Sequence, residues 1–352
     1  MEKLHDKQQF TKNLIEWYDE NARILPWREE PTPYRVWVSE IMLQQTRVEA
    51  VKPFFERFMN ALPTLPHLAY ASEDELAKLW EGLGYYNRVR NMKKCAIECV
   101  EKYGGKLPST YEELLTLPGI GTYTAGAIAS IAFKQCVPAV DGNVLRVFSR
   151  VLISEDDILK ERTKKKFQNI IQEYIPENRS DAFNQALMEL GAMICVPNAA
   201  PRCNICPVAK QCLGYQQGEA HRLPNKTAKK ARRIEKKTVL VIVCENEILL
   251  YRRPQEGLLA GLYEFHLLNK EVTRNHIQEE LPDVKIKKVV TLHKAKHIFS
   301  HIEWHMKGYL VEIENKTIDG IWCKIEDIEQ VYAIPTALKV FREALRLWMK
   351  ER

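Results

Sequence analysis

Four cysteines, Cys195, Cys203, Cys206 and Cys212, stand within eighteen residues in the pattern C-x7-C-x2-C-x5-C. Four thiolates at this spacing can wrap one tetrahedral metal ion or one iron–sulfur cubane, so the stretch must fold back around a common centre. Zinc ribbons usually carry two close C-x2-C pairs. This chain has one, which favours a [4Fe-4S] cluster, although ligand count alone leaves zinc open. Nine cysteines is an odd number, and 352 residues is too long a chain to depend on disulfides. The clustered four therefore read as ligands in a reducing compartment. The other five, Cys95, Cys99, Cys136, Cys244 and Cys323, have mostly apolar neighbours or helical spacing and read as small core residues.

Up to residue 221 the chain reads as helical. Ser72 with Glu75, and Thr110 with Glu113, are capping-box starts. Apolar residues recur at helical spacing over 36–43, 124–133, 144–152 and 183–193. The character changes after that. Residues 226–237 hold seven Lys or Arg and one Glu, a charge of +6 that equals the net charge of the whole chain. We read 222–237 as a basic, solvated linker. Strand-like runs follow at 238–244, 248–252, 302–313 and 321–324, with helical patterns at 273–281 and 335–349. The expectation is multidomain: an all-α domain over 1–221, the linker, and an α+β domain over 238–352. No apolar run approaches a membrane span, and MEKLHDKQQF lacks a signal-peptide core. A soluble, cytoplasmic monomer is expected, nucleoid-associated in a bacterium.

Leu117-Pro118-Gly119-Ile120-Gly121 joins two expected helices. Pro118 ends the first, and Gly119 and Gly121 allow a tight turn whose freed amides can meet a phosphate oxygen. This is a helix-hairpin-helix pattern for sequence-independent DNA binding. Twenty residues after Gly121, Asp141 precedes another helix, as an N-cap or as an ionised carboxylate facing a sugar cation. Glu40 lies among Val36, Trp37, Val38, Ile41, Met42 and Leu43. A carboxyl in such company tends to keep its proton, unless it lies on a polar helix face. One protonated and one ionised carboxyl is the pattern for cleavage through an oxocarbenium-like state.

These features together resemble the adenine DNA glycosylases of the MutY type, within the helix-hairpin-helix superfamily that includes endonuclease III. The resemblance covers nearly the whole chain. It rests on Leu25-Pro26-Trp27-Arg28, Val38-Ser39-Glu40-Ile41-Met42-Leu43-Gln44-Gln45-Thr46 and Trp80-Glu81-Gly82-Leu83-Gly84-Tyr85-Tyr86. It continues through 117–126, Val140-Asp141-Gly142-Asn143-Val144, the four cysteines and His297-Ile298-Phe299-Ser300-His301. It implies removal of adenine mispaired with 8-oxoguanine or guanine in duplex DNA, after base flipping. Glu40 would be the general acid at adenine N7. Asp141 would stabilise or trap the sugar cation, assisted by Asn143 and Tyr123. Trp27, Arg28 and Leu43 match the adenine pocket. Gln45 and Tyr85 match wedges near the oxidised guanine, and Thr46 and Leu83 fall in the same DNA-binding motifs. Strand-cutting relatives carry a lysine where this chain has Tyr123, so a monofunctional enzyme is implied.

Residues 238–352 resemble the family's Nudix-like recognition domain, with Phe299, Ser300 and His301 as the loop that reads 8-oxoguanine. The stretch RNHIQEE at 274–280 lacks the R-E-x-x-E-E spacing of a Nudix hydrolase, so recognition without pyrophosphate hydrolysis is expected. His293, His297, His301 and His305 recur every four residues, but the alternation of Ile302, Trp304 and Met306 reads as strand and makes the spacing incidental. The chain departs from the family pattern by having seven residues, rather than six, between Cys195 and Cys203, and by Tyr263-Glu264-Phe265-His266 in place of Trp-Glu-Phe-Pro. Competing readings are a thymine or uracil mismatch glycosylase, a non-catalytic iron–sulfur lesion sensor and an electron carrier.

Overall fold

The computed structural model describes residues 6–197, 199–228 and 231–351. The first five residues of the N-terminal segment, Asn198 of the first inter-cysteine loop, and Lys229 and Lys230 of the basic segment lie outside the described residues. The chain forms two compact units, Met1–Tyr70 with Asn91–Ala228, and Ala71–Arg90 with Lys229–Arg352.

The helices up to residue 216 are α1 (Lys7–Asn21), α2 (Pro26–Glu29), α3 (Pro33–Leu43), α4 (Val48–Ala61), α5 (Leu65–Tyr70), α6 (Glu73–Leu79), α7 (Asn87–Tyr103), α8 (Tyr111–Thr116), α9 (Thr122–Ile131), α10 (Gly142–Val151), α11 (Glu161–Gln172), α12 (Ser180–Met193) and α13 (Leu213–Gln216). Ser72 and Thr110 cap α6 and α8 as expected, accepting from Glu75 N at 3.1 Å and Glu113 N at 3.3 Å. One core gathers Phe10 and Leu14 of α1, Val144 and Phe148 of α10, Phe167 of α11, and Phe183 and Leu187 of α12. The apolar stripes thus face inward, as periodicity requires.

Helix α9 (TYTAGAIASI) is buried from Thr124 onward, and its small residues let neighbours approach closely. At Gly126 an added Cβ would stand 2.2 Å from the Pro138 carbonyl oxygen. The extended segment 137–140 therefore runs directly across the helix. Asn184, fully buried on α12, pins that segment by accepting from Ala139 N at 2.8 Å and donating to Val137 O at 2.9 Å. The two contacts deliver Asp141 to the start of α10. In the preceding turn Gly119 has φ +76°, a left-handed conformation that favours glycine.

The second unit carries β1 (Arg233–Cys244), β2 (Glu247–Arg252), β3 (Tyr263–Glu264), β4 (His266–Leu268), β5 (Ile286–Ile298), β6 (Ile302–Ile313) and β7 (Ile321–Cys323), with α14 (Ile277–Glu280), α15 (Ile325–Gln330) and α16 (Lys339–Lys350). The sheet order is β3-β2-β1-β6-β5, with β4 on β1 and β7 on β2. Strands β1 and β6 are parallel from Arg233↔Ile302 to Val243↔Glu312, and the other pairs are antiparallel. Val239, Val241 and Val243 face one core with Phe341 and Leu345 of α16, while Leu240, Ile242 and Cys244 face the other with Ile277. Both faces of this mixed sheet are covered.

Two expectations are corrected. Strand β1 begins at Arg233, inside the segment read as linker to 237. Its charges have partners: Lys237 bonds Asn269 at 2.7 Å and Glu235 at 3.0 Å, and Glu235 accepts from Trp304 Nε1 at 3.1 Å. Composition registers the lysines but not the neighbours that satisfy them. The helix expected over 273–281 shrinks to a 3₁₀ turn, Arg274–His276, and the single turn of α14. Segment 71–90 also groups with the second unit. Tyr263 Oη donates to Asp74 at 3.1 Å, Arg252 pairs with Glu73 at 3.3 Å, and Lys78 donates to Ile328 O at 2.9 Å.

Candidate active site and cysteine centre

A cavity of about 930 Å³ opens in the first unit. Its lining brings together Glu40, Tyr123, Asp141 and Asn143 with Trp27, Arg28, Leu43, Gln45, Thr46, Gly119 and Gly121. Helix α3 is buried on every side from Val36 to Met42, so Glu40 has no polar face to occupy and is 6% exposed. Tyr123 on α9 donates its phenol to Glu40 Oε2. Burial pushes the Glu40 carboxyl from its ordinary 4.5 up to about 7. The Tyr123 hydrogen bond and the Arg28 charge oppose this, and the Asp141 charge adds to it. Tyr123 itself is held well above its ordinary value, first by burial and then by the charges of Glu40 and Asp141, so it acts as a donor.

Asp141 is the N-cap of α10. Its Oδ1 accepts from Asn143 N and Val144 N at 2.8 Å each, and its Oδ2 accepts from Asn143 Nδ2 at 2.6 Å. The simple contrast of a raised Glu40 and an unperturbed Asp141 does not hold, because burial raises Asp141 as well. What differs is the opposition. Asp141 is held toward its charged form by those three hydrogen bonds and by Arg146, whereas Glu40 accepts from a phenol. Arg146 Nη2 donates to Asn143 Oδ1 at 2.9 Å and to Gly191 O at 2.7 Å, and its Nε donates to Cys195 O at 2.8 Å. At Gly191 an added Cβ would stand 2.6 Å from Asn143 Cβ.

The four clustered cysteines line one apolar cavity with Val147, Leu190 and Val208. Arg150 anchors the approach, donating to Cys195 Sγ at 3.2 Å and Val196 O at 3.0 Å. Burial pushes the Cys206 thiol up to about 12 and Cys212 to about 11. Among the described residues, no three His, Cys, Asp or Glu side chains converge closely enough to hold a single metal ion.

Other expected site residues lie in the second unit. Tyr85 is 49% exposed with φ +50°, and the Arg88 guanidinium stands 5.6 Å over its ring. Leu83 is buried, so in this structure it packs rather than presents itself to DNA. Ser300 and His301 form the exposed turn between β5 and β6, closed by Phe299 N to Ile302 O at 2.8 Å. Phe299 packs on Trp304, ring centroids 5.0 Å apart. His293 and His297 fall on β5 and His305 on β6, where it pairs with Glu303 at 2.6 Å. Sequence reasoning missed Arg23, Gln185 and Glu189 in the cavity wall, and Gly126, Asn184 and Gly191 beneath Asp141 and Asn143. Glu189 carries the signal that singled out Glu40, a carboxyl within an apolar helix (FNQALMELGAM).

Residues 38–173 match the HhH-GPD superfamily of base excision DNA repair proteins, and residues 238–344 match the NUDIX domain. The helical unit resembles a thermostable thymine-DNA glycosylase at 27% identity and a TM-score of 0.55, covering 60% of this chain and 97% of that one. It shares its fold with endonuclease III, at 22% identity and a TM-score of 0.53, over 62% of this chain and 99% of that one. Fold and site define a base-excision DNA glycosylase of the helix-hairpin-helix class with an appended Nudix-type domain. The adenine DNA glycosylase of Rattus norvegicus is 36% identical over 96% of this chain and 78% of its own length. That of Homo sapiens is 34% identical over 95% and 73%. That of Buchnera aphidicola subsp. Schizaphis graminum is 31% identical over 92% and 94%. The chain belongs to the adenine DNA glycosylase family. It acts on DNA as a hydrolase of N-glycosyl bonds. Among the described residues, no helix is long and apolar enough to cross a membrane.

Proposed function

We propose that this enzyme releases adenine mispaired with 8-oxoguanine or guanine from duplex DNA, with Glu40 as general acid and Asp141 as the carboxylate facing the sugar. The observation that carries this reading is the buried Glu40, raised to about 7 in a cavity it shares with Asp141. Such an acid is substantially protonated near neutral pH. Glu40 gives its proton to adenine N7. The C1′–N9 bond breaks, its electron pair leaves with neutral adenine, and the positive charge stays at C1′. Asp141, oriented by Asn143, stabilises or traps that cation. Water then adds at C1′ and surrenders a proton, which restores Glu40. Tyr123 has no amine with which to form a Schiff base, so the strand is left uncut.

Gln45 and Tyr85, at φ +59° and φ +50°, hold backbone conformations that side chains rarely adopt. Such strain is typical of functional positions and supports their roles beside the lesion. Gly121 caps α9 without a side chain, which leaves the first-turn amides to a DNA phosphate. The four cysteines suit a [4Fe-4S] cluster better than zinc: they frame one apolar cavity, and they include a single close C-x2-C pair where zinc ribbons usually have two. When bound, the cluster would supply a rigid tie for the 195–212 loop. Chemical analysis is expected to find roughly four irons per chain. Cys206→Ser should lose iron and visible absorption; stoichiometric zinc without iron would sink this assignment. The exposed Ser300 turn suits lesion reading, and no pyrophosphatase activity is assigned to the Nudix-type unit.

Single-turnover release from A:8-oxoguanine, A:G, T:G and U:G duplexes tests the whole reading. Adenine should leave the first two, and thymine and uracil should stay. Release of thymine or uracil without adenine would instead favour the mismatch enzyme that the helical unit also resembles. Ser300→Ala should narrow the preference for A:8-oxoguanine over A:G about fivefold, the worth of one hydrogen bond.

A further inference from the structure

In the wall of the cavity that holds Glu40 stands a charged triad, Arg23, Arg28 and Glu189, that the reaction above does not use. Glu189 on α12 is buried, with 1% of its side chain exposed. Its Oε1 accepts from Arg28 Nη1 at 2.6 Å and from Arg23 N at 3.2 Å, and its Oε2 accepts from Arg23 Nε at 2.9 Å. Arg28 is held further by Gln185 Oε1 at 3.0 Å and by the Arg23 carbonyl at 3.1 Å, and its guanidinium lies 5.6 Å over the Tyr18 ring. Burial works against the Glu189 charge, but the two arginines prevail and hold its carboxyl below 4.5. The triad thus joins two fixed cations to one fixed anion.

A buried ion pair of this kind often does no more than satisfy its own members. Here one member has a second audience: Arg28 lines the same cavity as Glu40, and its charge opposes the rise of that carboxyl. The other groups facing Glu40 are Tyr123 from α9 and the Asp141 carboxylate at the start of α10. Helix α4 contributes to the lining only Val48, and Arg146, Glu161, Lys164 and Lys226 complete the charged part of the cavity. Glu189 is therefore the anion paired directly with Arg28.

We propose that Glu189 is a positioning residue: it orients Arg23 and Arg28 in the cavity wall and halves their positive charge, so that Glu40 faces an ordered wall rather than a strongly cationic one. This rests on Glu40 being the acid of the reading above. Without Glu189 the unopposed arginines favour the Glu40 carboxylate, and the acid loses its proton at a lower pH.

The test uses the full chain with ¹³C-labelled glutamate carboxyls, Glu40→Gln identifying the signal, alongside the pH profile of single-turnover adenine release. In Glu189→Gln, the Glu40 titration and the basic limb of the profile should both move down by roughly one pH unit. Release above that limb then falls about tenfold. Glu189→Asp keeps the charge on a shorter arm, so its titration should stay in place while the rate falls. Arg28→Met should move the titration upward, and it decides the matter should Glu189→Gln not fold. A Glu40 titration unmoved in Glu189→Gln or in Arg28→Met overturns the proposal, as does a uniform rate loss with an unshifted limb. If wild type releases no adenine, the functional reading fails on its own, and the titration still reports whether the triad acts on Glu40.

Discussion

Glu40→Gln is expected to slow adenine release by about 10²–10⁴-fold and, at the same time, to make the protein more stable. The first effect follows from removing the proton while keeping the shape. A glutamine amide can still accept the Tyr123 phenol but cannot protonate a leaving base. The second follows from linkage. Folding lifts the Glu40 carboxyl from 4.5 to about 7, so the native state binds a proton that the unfolded chain has released over that interval. The favourable contribution of a raised group is complete below pH 4.5 and is lost as pH rises through about 7. Wild type and Glu40→Gln should therefore be about equally stable at pH 4.5. Above pH 7 the variant should be ahead by about 3 kcal/mol. Chemical denaturation of both proteins from pH 4.5 to 8 measures this. A difference independent of pH would show that Glu40 does not titrate with folding, and the general-acid assignment would lose its basis.

Gly126→Ala should have the largest effect on the fold near the site. The added methyl would stand 2.2 Å from the Pro138 carbonyl, and that atom belongs to backbone pinned by Asn184 on the other side. Neither surface can yield alone, so the cost is about 3 kcal/mol of overpacking. The displacement also reaches the chemistry, because the strained segment ends three residues later at Asp141. The variant should therefore release adenine more slowly even at temperatures where circular dichroism shows it fully folded. A stable, fully active Gly126→Ala would mean that the segment is mobile and that Asp141 is positioned by its α10 cap alone.

The comparison of these two residues marks where reading along the chain succeeds. Glu40 was legible because its neighbours are apolar on both sides, which favours burial of a carboxyl, although only the structure shows that α3 leaves it no polar face. Glu189 sits in an equally apolar helix, but its role depends on two arginines more than 160 residues away in sequence, and no local pattern points to them. Gly126 reads as one small residue in an alanine-rich helix, until the carbonyl that needs its missing side chain is in view. The start of β1 was misplaced for a similar reason: Arg233 to Lys237 read as solvated charge, yet they pair with β6, Asn269 and Trp304.

By itself, then, the amino-acid order determined what local chemistry can express: the helix starts at Ser72 and Thr110, the glycine hairpin before α9, the clustering of four cysteines, and one carboxyl in an apolar helix with another just ahead of a helix start. Tertiary structure alone decided which backbone presses on Gly126, which cations meet Glu189, and that Asp141 is raised by burial along with Glu40. Those outcomes arise from contacts between segments far apart in the chain, and burial and charge depend on distance in space, which a linear pattern does not contain.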